Sequence, residues 1–171
     1  MKRILFLLTI LVVTVTGASA QSLSGTWSAR IMESESDQSD NVNTDMKMTG
    51  TDVITFSDNA FSRKMSCTVT LNAASQETSL DMTIKINGSA SGTWKLEGST
   101  LTLTPDKKAK PTLSVEASDC PALIQAMIVG PLKQQLKESL KEEDKMQITF
   151  LDDSRFSATD EGETVTYNKV K

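Results

Sequence analysis

The residues able to carry out chemistry are few in this sequence, and their types exclude most catalytic mechanisms. The chain contains no histidine, so it has no Ser-His-Asp or Cys-His arrangement and no histidine metal ligand. It also contains no phosphate-binding loop and no dinucleotide-binding glycine motif. We therefore expect a protein that is not an enzyme, with no catalytic residues, no resident metal and no cofactor.

Two adjacent pairs of acids are the remaining candidates for acid–base chemistry. Asp152-Asp153 falls in a predicted turn and Glu142-Glu143 at a predicted helix end. Catalysis of this kind needs carboxylates held in different environments, whereas acids at such positions are usually solvated. Cys67 lies on a predicted apolar face, where burial raises the pKa of a thiol and makes it a poor nucleophile. These side chains are therefore interpreted as structural.

Methionines on apolar strand faces favour ligand binding. A methionine side chain is flexible and polarisable, and it is common on surfaces that adapt to apolar ligands. Ordinary core filling is the alternative, and the sequence leaves both open. With the aromatic residues and the arginine on these faces, the predicted ligand-binding set is Trp27, Met46, Met48, Phe61, Arg63, Met65, Met82 and Trp94.

Arg63 stands out because it is a charged residue on an otherwise apolar strand face. An unpaired buried charge is costly, so Arg63 needs a partner. One interpretation is a counter-charge for a ligand carboxylate or phosphate. The other is a cation–π contact with Trp27 or Trp94, which would stabilise one end of a barrel.

These residues must be positioned by strands in which apolar and polar side chains alternate. Residues 91–105 predict a hairpin with a Glu97-Gly98-Ser99 turn, in which Trp94 and Leu96 oppose Leu101 and Leu103. Residues 61–71 alternate apolar and polar side chains over five pairs, which is typical of a strand with one face in a core. Gly50 to Asp52 interrupts the preceding strand and predicts a bulge or turn there.

An internal echo runs through the chain. Ser-Gly-Thr-Trp occurs at residues 24–27 and 91–94, and the segments 54–56, 61–62 and 68–72 return as 148–150, 156–157 and 164–168. We interpret the echo as a duplicated antiparallel unit that closes into one barrel. Such closure leaves no exposed strand edge, and an eight-stranded barrel has room for at most one small ligand.

A helical insertion separates the two copies, at about residues 119–143. Asp119 is the predicted N-cap with Pro121 just inside, and Gly130-Pro131 is expected to break or kink the helix. The predicted fold is thus mainly β: an antiparallel up-and-down barrel of 8–10 strands, with helix inserted before the last three strands.

The N-terminus predicts export. Lys2-Arg3, an apolar run and the small residues Ala18-Ser19-Ala20 are typical of a signal peptide over residues 1–20, which leaves one domain over 21–171. Residue 21 is Gln rather than Cys, so no lipid anchor is expected. We predict a periplasmic or extracellular protein without a membrane anchor. In that compartment Cys67 and Cys120 predict a disulfide, with two free thiols as the alternative.

The charge of the chain is acidic. Without Lys2 and Arg3, 16 basic residues remain against 22 acidic ones, a net charge near −6. Nucleic acid is therefore not an expected partner, because phosphate neutralisation dominates that affinity. Residues 33–45 carry five acids and no base, which predicts a solvated loop or frayed extension; a calcium site is the alternative, without the spacing of a known calcium loop.

Taken together, Gly25-Thr26-Trp27 on the first strand, ITF-x-D-x-x-FS and GTW-K-x-x-G-x-x-LTLT resemble bacterial secreted lipocalin-like (calycin-type) domains over about residues 24–171. The resemblance implies that Trp27 packs at the closed end of the barrel against an arginine, either Arg63 or Arg155. The chain differs from the family in lacking its Thr-Asp-Tyr motif and in placing helix before three strands instead of one.

Two functions are therefore predicted. The first is a monomeric carrier that binds a small hydrophobic or amphipathic molecule in a closed cavity inside the barrel, gated by the helical insertion. The second is a protein-interaction module with a solid core, such as an inhibitor or an envelope-assembly factor. It would act through residues 33–45 or through an apolar patch at Ile124, Met127 and Ile128.

Overall fold

The computed structural model describes residues 22–39, 42–75, 79–108, 112–160 and 162–171, so the predicted signal peptide lies outside the described residues. Within them the chain forms nine strands and one helix. These are β1 (Gly25–Ser39), β2 (Val42–Ser57), β3 (Ala60–Ala74), β4 (Ser79–Glu97), β5 (Thr100–Pro105), β6 (Thr112–Ser118), α1 (Ala122–Ser139), β7 (Asp144–Asp152), β8 (Arg155–Asp160) and β9 (Glu163–Lys169).

Eight of the strands close an antiparallel barrel in the order β1-β2-β3-β4-β5-β7-β8-β9. The barrel closes where Trp27 to Ala29 of β1 pair with Tyr167 to Lys169 of β9. β6 lies outside this ring and pairs with the first half of β4. The predicted fold class is confirmed, including the helix before the last three strands.

The first four strands are much longer than the others. β1 to β4 have 15 to 19 residues, whereas β5 and β7 to β9 have 6 to 9. The long strands therefore continue past the barrel as a sheet, to which β6 adds at the edge of β4. Their apolar face needs a cover outside the barrel, because exposed apolar surface is unfavourable in water.

Two apolar cores result from this arrangement. The barrel core is built around Trp27, Phe56, Leu101, Phe156 and Tyr167, each at most 3% exposed. The second core lies between the sheet extension and α1; its buried residues are Cys67, Met82, Ile84, Ile86 and Val115, and helix residues Ile128, Val129, Leu132 and Leu136 pack against them.

The predicted hairpins and alternation are confirmed. In the central hairpin Trp94 pairs with Leu103 and Leu96 with Leu101, and Gly98 takes the positive φ of 62° that its turn requires. The Asp58-Asn59 turn joins β2 to β3. The sequence echo corresponds to equivalent pairs only in the hairpins, Phe56 with Phe61 and Phe150 with Phe156; residues 68–72 continue β3, whereas 164–168 form β9.

Residues 33–45 do not form the predicted loop. Their described residues belong to the arms of the β1–β2 hairpin, where Glu35 pairs with Met46 and Asp37 with Thr44. The side chains are nevertheless largely exposed, because pairing of the backbone satisfies a strand whose side chains stay in water. The predicted bulge at Gly50 is also wrong, since Gly50 pairs in unbroken register with Ile31 and Cys67.

The helix is one continuous element rather than two. Pro131 lies inside α1, and the cap is Pro121 without a side-chain hydrogen bond, so the prediction of Asp119 as N-cap is wrong. A proline removes one helical hydrogen bond, but Ile128 and Leu132 on either side pack against the second core and hold the helix together. No helix of the described residues is long and apolar enough to cross a membrane.

Cys67 and Cys120 are not bonded to each other, so the predicted disulfide is wrong. Cys67 is buried in the second core beneath α1, between its strand partners Gly50 and Ile86. Cys120 packs against the edge of the same core. Burial, with a smaller contribution from the charge of Glu33, raises the pKa of the Cys67 thiol and keeps it in its neutral form.

We expect Gly50→Ala to destabilise the protein by about 1–3 kcal/mol, the usual cost of overpacking. The added Cβ would lie 2.7 Å from the Cβ of Cys67 and against the carbonyl oxygen of Ser66. Gly130→Ala is the matched control, because a Cβ there meets nothing within 4 Å. Denaturant unfolding measures both, and an equal loss in the two variants would contradict the close packing of β2 on β3.

Candidate ligand-binding site

A charged network crosses the interior of the barrel. The Nε of Arg63 donates to both carboxylate oxygens of Asp52, at 3.1 and 3.0 Å, and Nη2 lies 2.8 Å from Oδ2. The Nη1 of Arg63 donates to Asp144 at 2.9 Å, and the hydroxyl of Tyr167 donates to Asp52 at 2.6 Å. Side chains from β2, β3, β7 and β9 are thereby joined.

Strand register brings these groups together. Asp52 precedes Ile54 on the inner face of β2, and the Ile54–Arg63 pair places the arginine diagonally beside it on β3. Asp52 is only 2% exposed, and a buried carboxylate is tolerated only when paired and hydrogen-bonded. The network satisfies that condition, and it uses the Nε and both terminal nitrogens of Arg63 within the protein.

The network keeps Tyr167 and Arg63 in fixed protonation states. Burial raises the pKa of Tyr167 well above its ordinary value, and the negative charge of Asp52 raises it further. Burial alone would lower the pKa of Arg63, but the charge and hydrogen bonds of Asp52, with smaller contributions from Tyr167 and Asp144, together outweigh burial and the pKa is raised. A neutral phenol and a charged guanidinium therefore persist through the physiological pH range.

A cavity of about 650 Å³ lies above this network, at the mouth of the barrel. Arg63 and Asp144 form part of its wall, and the C-terminal end of α1 contributes Leu136 and the C-cap residue Leu140. Exposed residues such as Lys145 also border it, so this cavity opens to solvent and is not the closed interior cavity that the sequence predicts. Its larger apolar lining residues are Phe61, Met65, Leu103, Leu113, Leu136 and Leu140.

Three of the predicted binding residues line this cavity: Phe61, Arg63 and Met65. Arg63 does not stack on Trp27 or Trp94, since it pairs with two carboxylates instead. The cation over the ring of Trp27 is Lys169, 5.2 Å from its centroid. Arg155 pairs with Asp152 at the surface, so neither predicted arginine packs on Trp27.

The remaining predicted residues lie elsewhere. Trp27 is 1% exposed in the barrel core and its Nε1 donates to the carbonyl of Leu23 at 2.6 Å. Trp94 packs edge-on against Phe56, 5.2 Å between centroids. Met82 is buried in the second core and Met48 packs against it, which is the core-filling alternative. Met46 is 36% exposed on a hairpin arm.

Asp52, Asp144 and Tyr167 are not among the binding residues that the sequence predicts. Asp52 carried a usable signal, because it is in phase with Ile54 and Phe56 on β2 just as Arg63 is in phase with Phe61 on β3. The bulge expected at Gly50 to Asp52 obscured that phase. Asp144 and Tyr167 lie 81 and 115 residues from their partners, and nothing local to either residue marks the contact.

Acid–base or metal chemistry finds little support among the described residues. Asp152 is exposed and hydrogen-bonded to Arg155, which lowers its pKa to about 2, and hydrogen bonds from Lys145 and Thr104 lower that of Glu143. The Asp152–Arg155 and Glu143–Lys145 contacts are both ion pairs at the protein surface. Within the described part of the chain no group of three or more Cys, Asp or Glu residues is arranged to hold a metal ion.

Tyr167 is the only tyrosine of the chain, so tyrosinate absorbance reports on it alone. The folded protein should not titrate at the ordinary pKa of 10.0, whereas the urea-unfolded chain should. Because the folded state keeps a proton that the unfolded state loses, stability falls as the pH rises above 10. A native titration with its midpoint near 10 would contradict the network.

Asp52→Asn should lower the free energy of unfolding by about 3 kcal/mol, since it leaves a largely buried guanidinium with one carboxylate in place of two. Asp152→Asn removes the equivalent partner of Arg155 at an exposed site and should change stability within experimental error. Chemical denaturation compares the two variants. Equal losses would show that the buried network does not brace the barrel.

The closed antiparallel barrel is consistent with the calycin-like architecture that the sequence resembles. No protein-family model matches the chain, and no curated protein matches it. The relationship to lipocalins therefore stays a prediction, and the function has to be argued from the cavity itself.

Proposed function

We propose that this protein binds a small amphipathic molecule in the cavity at the barrel mouth. One observation carries the proposal: the cavity has a volume of about 650 Å³ and is lined by six larger apolar side chains. Small-molecule sites are typically about 300–1,000 Å³, mostly apolar, with a few placed polar groups. The Arg63–Asp52 network lies at this cavity as a fixed polar wall, so the apolar part of a ligand would lie against Phe61, Met65 and Leu140.

The proposed position is the mouth rather than the centre of the barrel. On the other side of the network, Phe156 stacks on Tyr167 and packs edge-on against Trp27, each at a ring-centroid distance of 4.9 Å, and these rings belong to the barrel core. Packed protein cores leave few voids larger than a water molecule. The space available to a ligand therefore lies between the barrel and α1.

Helix α1 is the proposed gate. It packs on the second core through Ile128, Val129, Leu132 and Leu136, and Leu136, Ser139 and the C-cap residue Leu140 contribute to the cavity wall. The helix has no fully buried residue. Local opening of its last turn would therefore release mainly the half-buried Leu136 and would widen the entrance.

The remaining properties are proposed from the sequence. A carrier without histidine and with surface ion pairs in place of a carboxylate dyad is proposed to bind rather than to catalyse. The segment 1–20 is proposed to direct export to the periplasm or the exterior, and the binding protein is proposed to act as a monomer.

A second candidate is a protein-interaction module, favoured by one observation. Leu123 and Met127, one turn apart on α1, are 74% and 68% exposed, whereas Ile128 of the predicted patch turns to the second core. Two exposed side chains make a small surface. This function would be favoured over the first by two results together. A Leu123→Ser, Met127→Ser double variant would no longer capture a protein partner that the unmodified protein captures, and no ligand would be found in the cavity.

Gly88→Leu should weaken binding of a hydrophobic fluorescent probe by at least about tenfold. A Cβ on Gly88 would lie 3.6 Å from Leu140 and 3.7 Å from Leu113, so a larger side chain fills the cavity from its wall. Gly88→Ala makes only ordinary contacts and should weaken binding less while folding normally. Fluorescence titration measures both.

Gly130→Leu is the matched control, because the same side chain is added where nothing lies within 4 Å. It should bind the probe as the unmodified protein does. Unchanged binding in both Gly88 variants would place the probe elsewhere and would refute the cavity as the site. Native mass spectrometry of protein from its own host would then report any ligand retained.

A further inference from the structure

A groove lined by lysines adjoins the cavity. Its volume is about 720 Å³, and its charged lining residues are Arg63, Lys64, Asp106, Lys107, Lys137 and Lys141. The chain as a whole carries a net charge of −4, so four lysines with one aspartate make a local reversal of sign. Three separate segments supply these lysines: β3, the connection after β5, and the end of α1.

The lysines are poorly neutralised by the protein. Within the described part of the chain, Lys64, Lys107 and Lys137 have no ion-pair partner, and Lys141 alone pairs, with Glu138 at 2.9 Å. The Oδ1 of Asp106 accepts the backbone N–H of Lys108. Uncompensated like charges repel one another, and an anion placed among them relieves that repulsion.

The groove and the cavity adjoin each other beside β4. β5 pairs with β4 up to Gly92 and β6 pairs with β4 up to Ser89, and just past β5 the backbone N–H of Asp106 donates to the carbonyl oxygen of Ser91 at 2.9 Å. Lys64 and Ser89 face one side of β3 and β4, whereas Arg63 and Ala90 face the other. The two hollows share Arg63, Ser89, Ala90, Pro105 and Leu140 as lining residues.

The cavity itself carries the opposite charge on its remaining wall. Glu142, Glu143, Asp144 and Asp160 line it, with Lys145 and Arg63 as its cations. Glu142 and Asp160 have no ion-pair partner among the described residues. An anion is therefore repelled at that wall and attracted towards the lysine groove.

We infer that the ligand is an anionic amphiphile, whose apolar tail lies in the cavity and whose oxyanion headgroup lies in the adjoining lysine groove. The inference rests on the proposed function, because it takes the cavity as the site of the tail. Lysines bind phosphate, sulfate or carboxylate oxygens as point charges. The hydroxyls of Ser62 and Ser91, which also line the groove, add hydrogen-bond donors.

The test compares headgroups on one alkyl chain: phosphate, trimethylammonium and a neutral alcohol, with inorganic phosphate as the fourth ligand. Calorimetry should give an affinity for the alkyl phosphate at least about tenfold above that for the alcohol, and the ammonium compound should bind least. Lys64→Gln, Lys107→Gln and Lys137→Gln together should remove the phosphate advantage and leave binding of the alcohol unchanged. All three are exposed, so folding should be retained.

A triple variant at Lys47, Lys85 and Lys171 is the control, because these exposed lysines lie outside the groove and their loss changes net charge equally. It should keep the preference for the alkyl phosphate. An equal loss in the control, equal affinity for the three headgroups, or inorganic phosphate binding as tightly as the alkyl phosphate would each overturn the inference. Failure of the alcohol to bind would instead refute the cavity function.

Discussion

The rest of the structure depends on the interaction of the Asp52 carboxylate with Arg63 and Tyr167. Asp52 is 2% exposed, and an isolated charge in that position would destabilise the fold strongly. Arg63 comes from the neighbouring strand β3, whereas Tyr167 and the second carboxylate, Asp144, come from β9 and β7, so the complete network forms only when the barrel is closed. The network also separates two environments, an aromatic core on one side and an open, mixed-polarity cavity on the other.

The unequal strand lengths explain why a cavity forms at this point. β1 to β4 extend well beyond the short strands that complete the barrel, and their inner face needs a second cover. α1 and β6 provide it, and they build a core of their own around Ile84 and Ile86. The cavity and the lysine groove lie where the short strands end, beside β4 and the end of α1.

Predictions from local sequence patterns were correct where the structure depends on strand period and turn geometry. The alternation through Phe61 and Val69, the Gly98 turn and the Trp94–Leu103 pairing follow from strand period and turn geometry. The failures occurred where tertiary packing overrides local preference. Backbone pairing made strands of residues 33–39 and 42–45 of the acidic segment, packing of Ile128 and Leu132 carried α1 through Pro131, and Cys67 is a free thiol buried under α1.

The sequence by itself determined the strands, their inner faces, the helical insertion and the closure into a barrel, because side-chain period and turn residues act over a few positions. It also placed Phe61, Arg63 and Met65 on the face that lines the cavity. Only the tertiary structure decided that Arg63 pairs with Asp52 and Asp144, and that lysines from distant segments converge beside Ala90. Asp52 and Arg63 are only 11 residues apart and meet through the register of the β2–β3 hairpin, whereas Asp144 lies 81 residues from Arg63 and reaches it only when the strands close the ring.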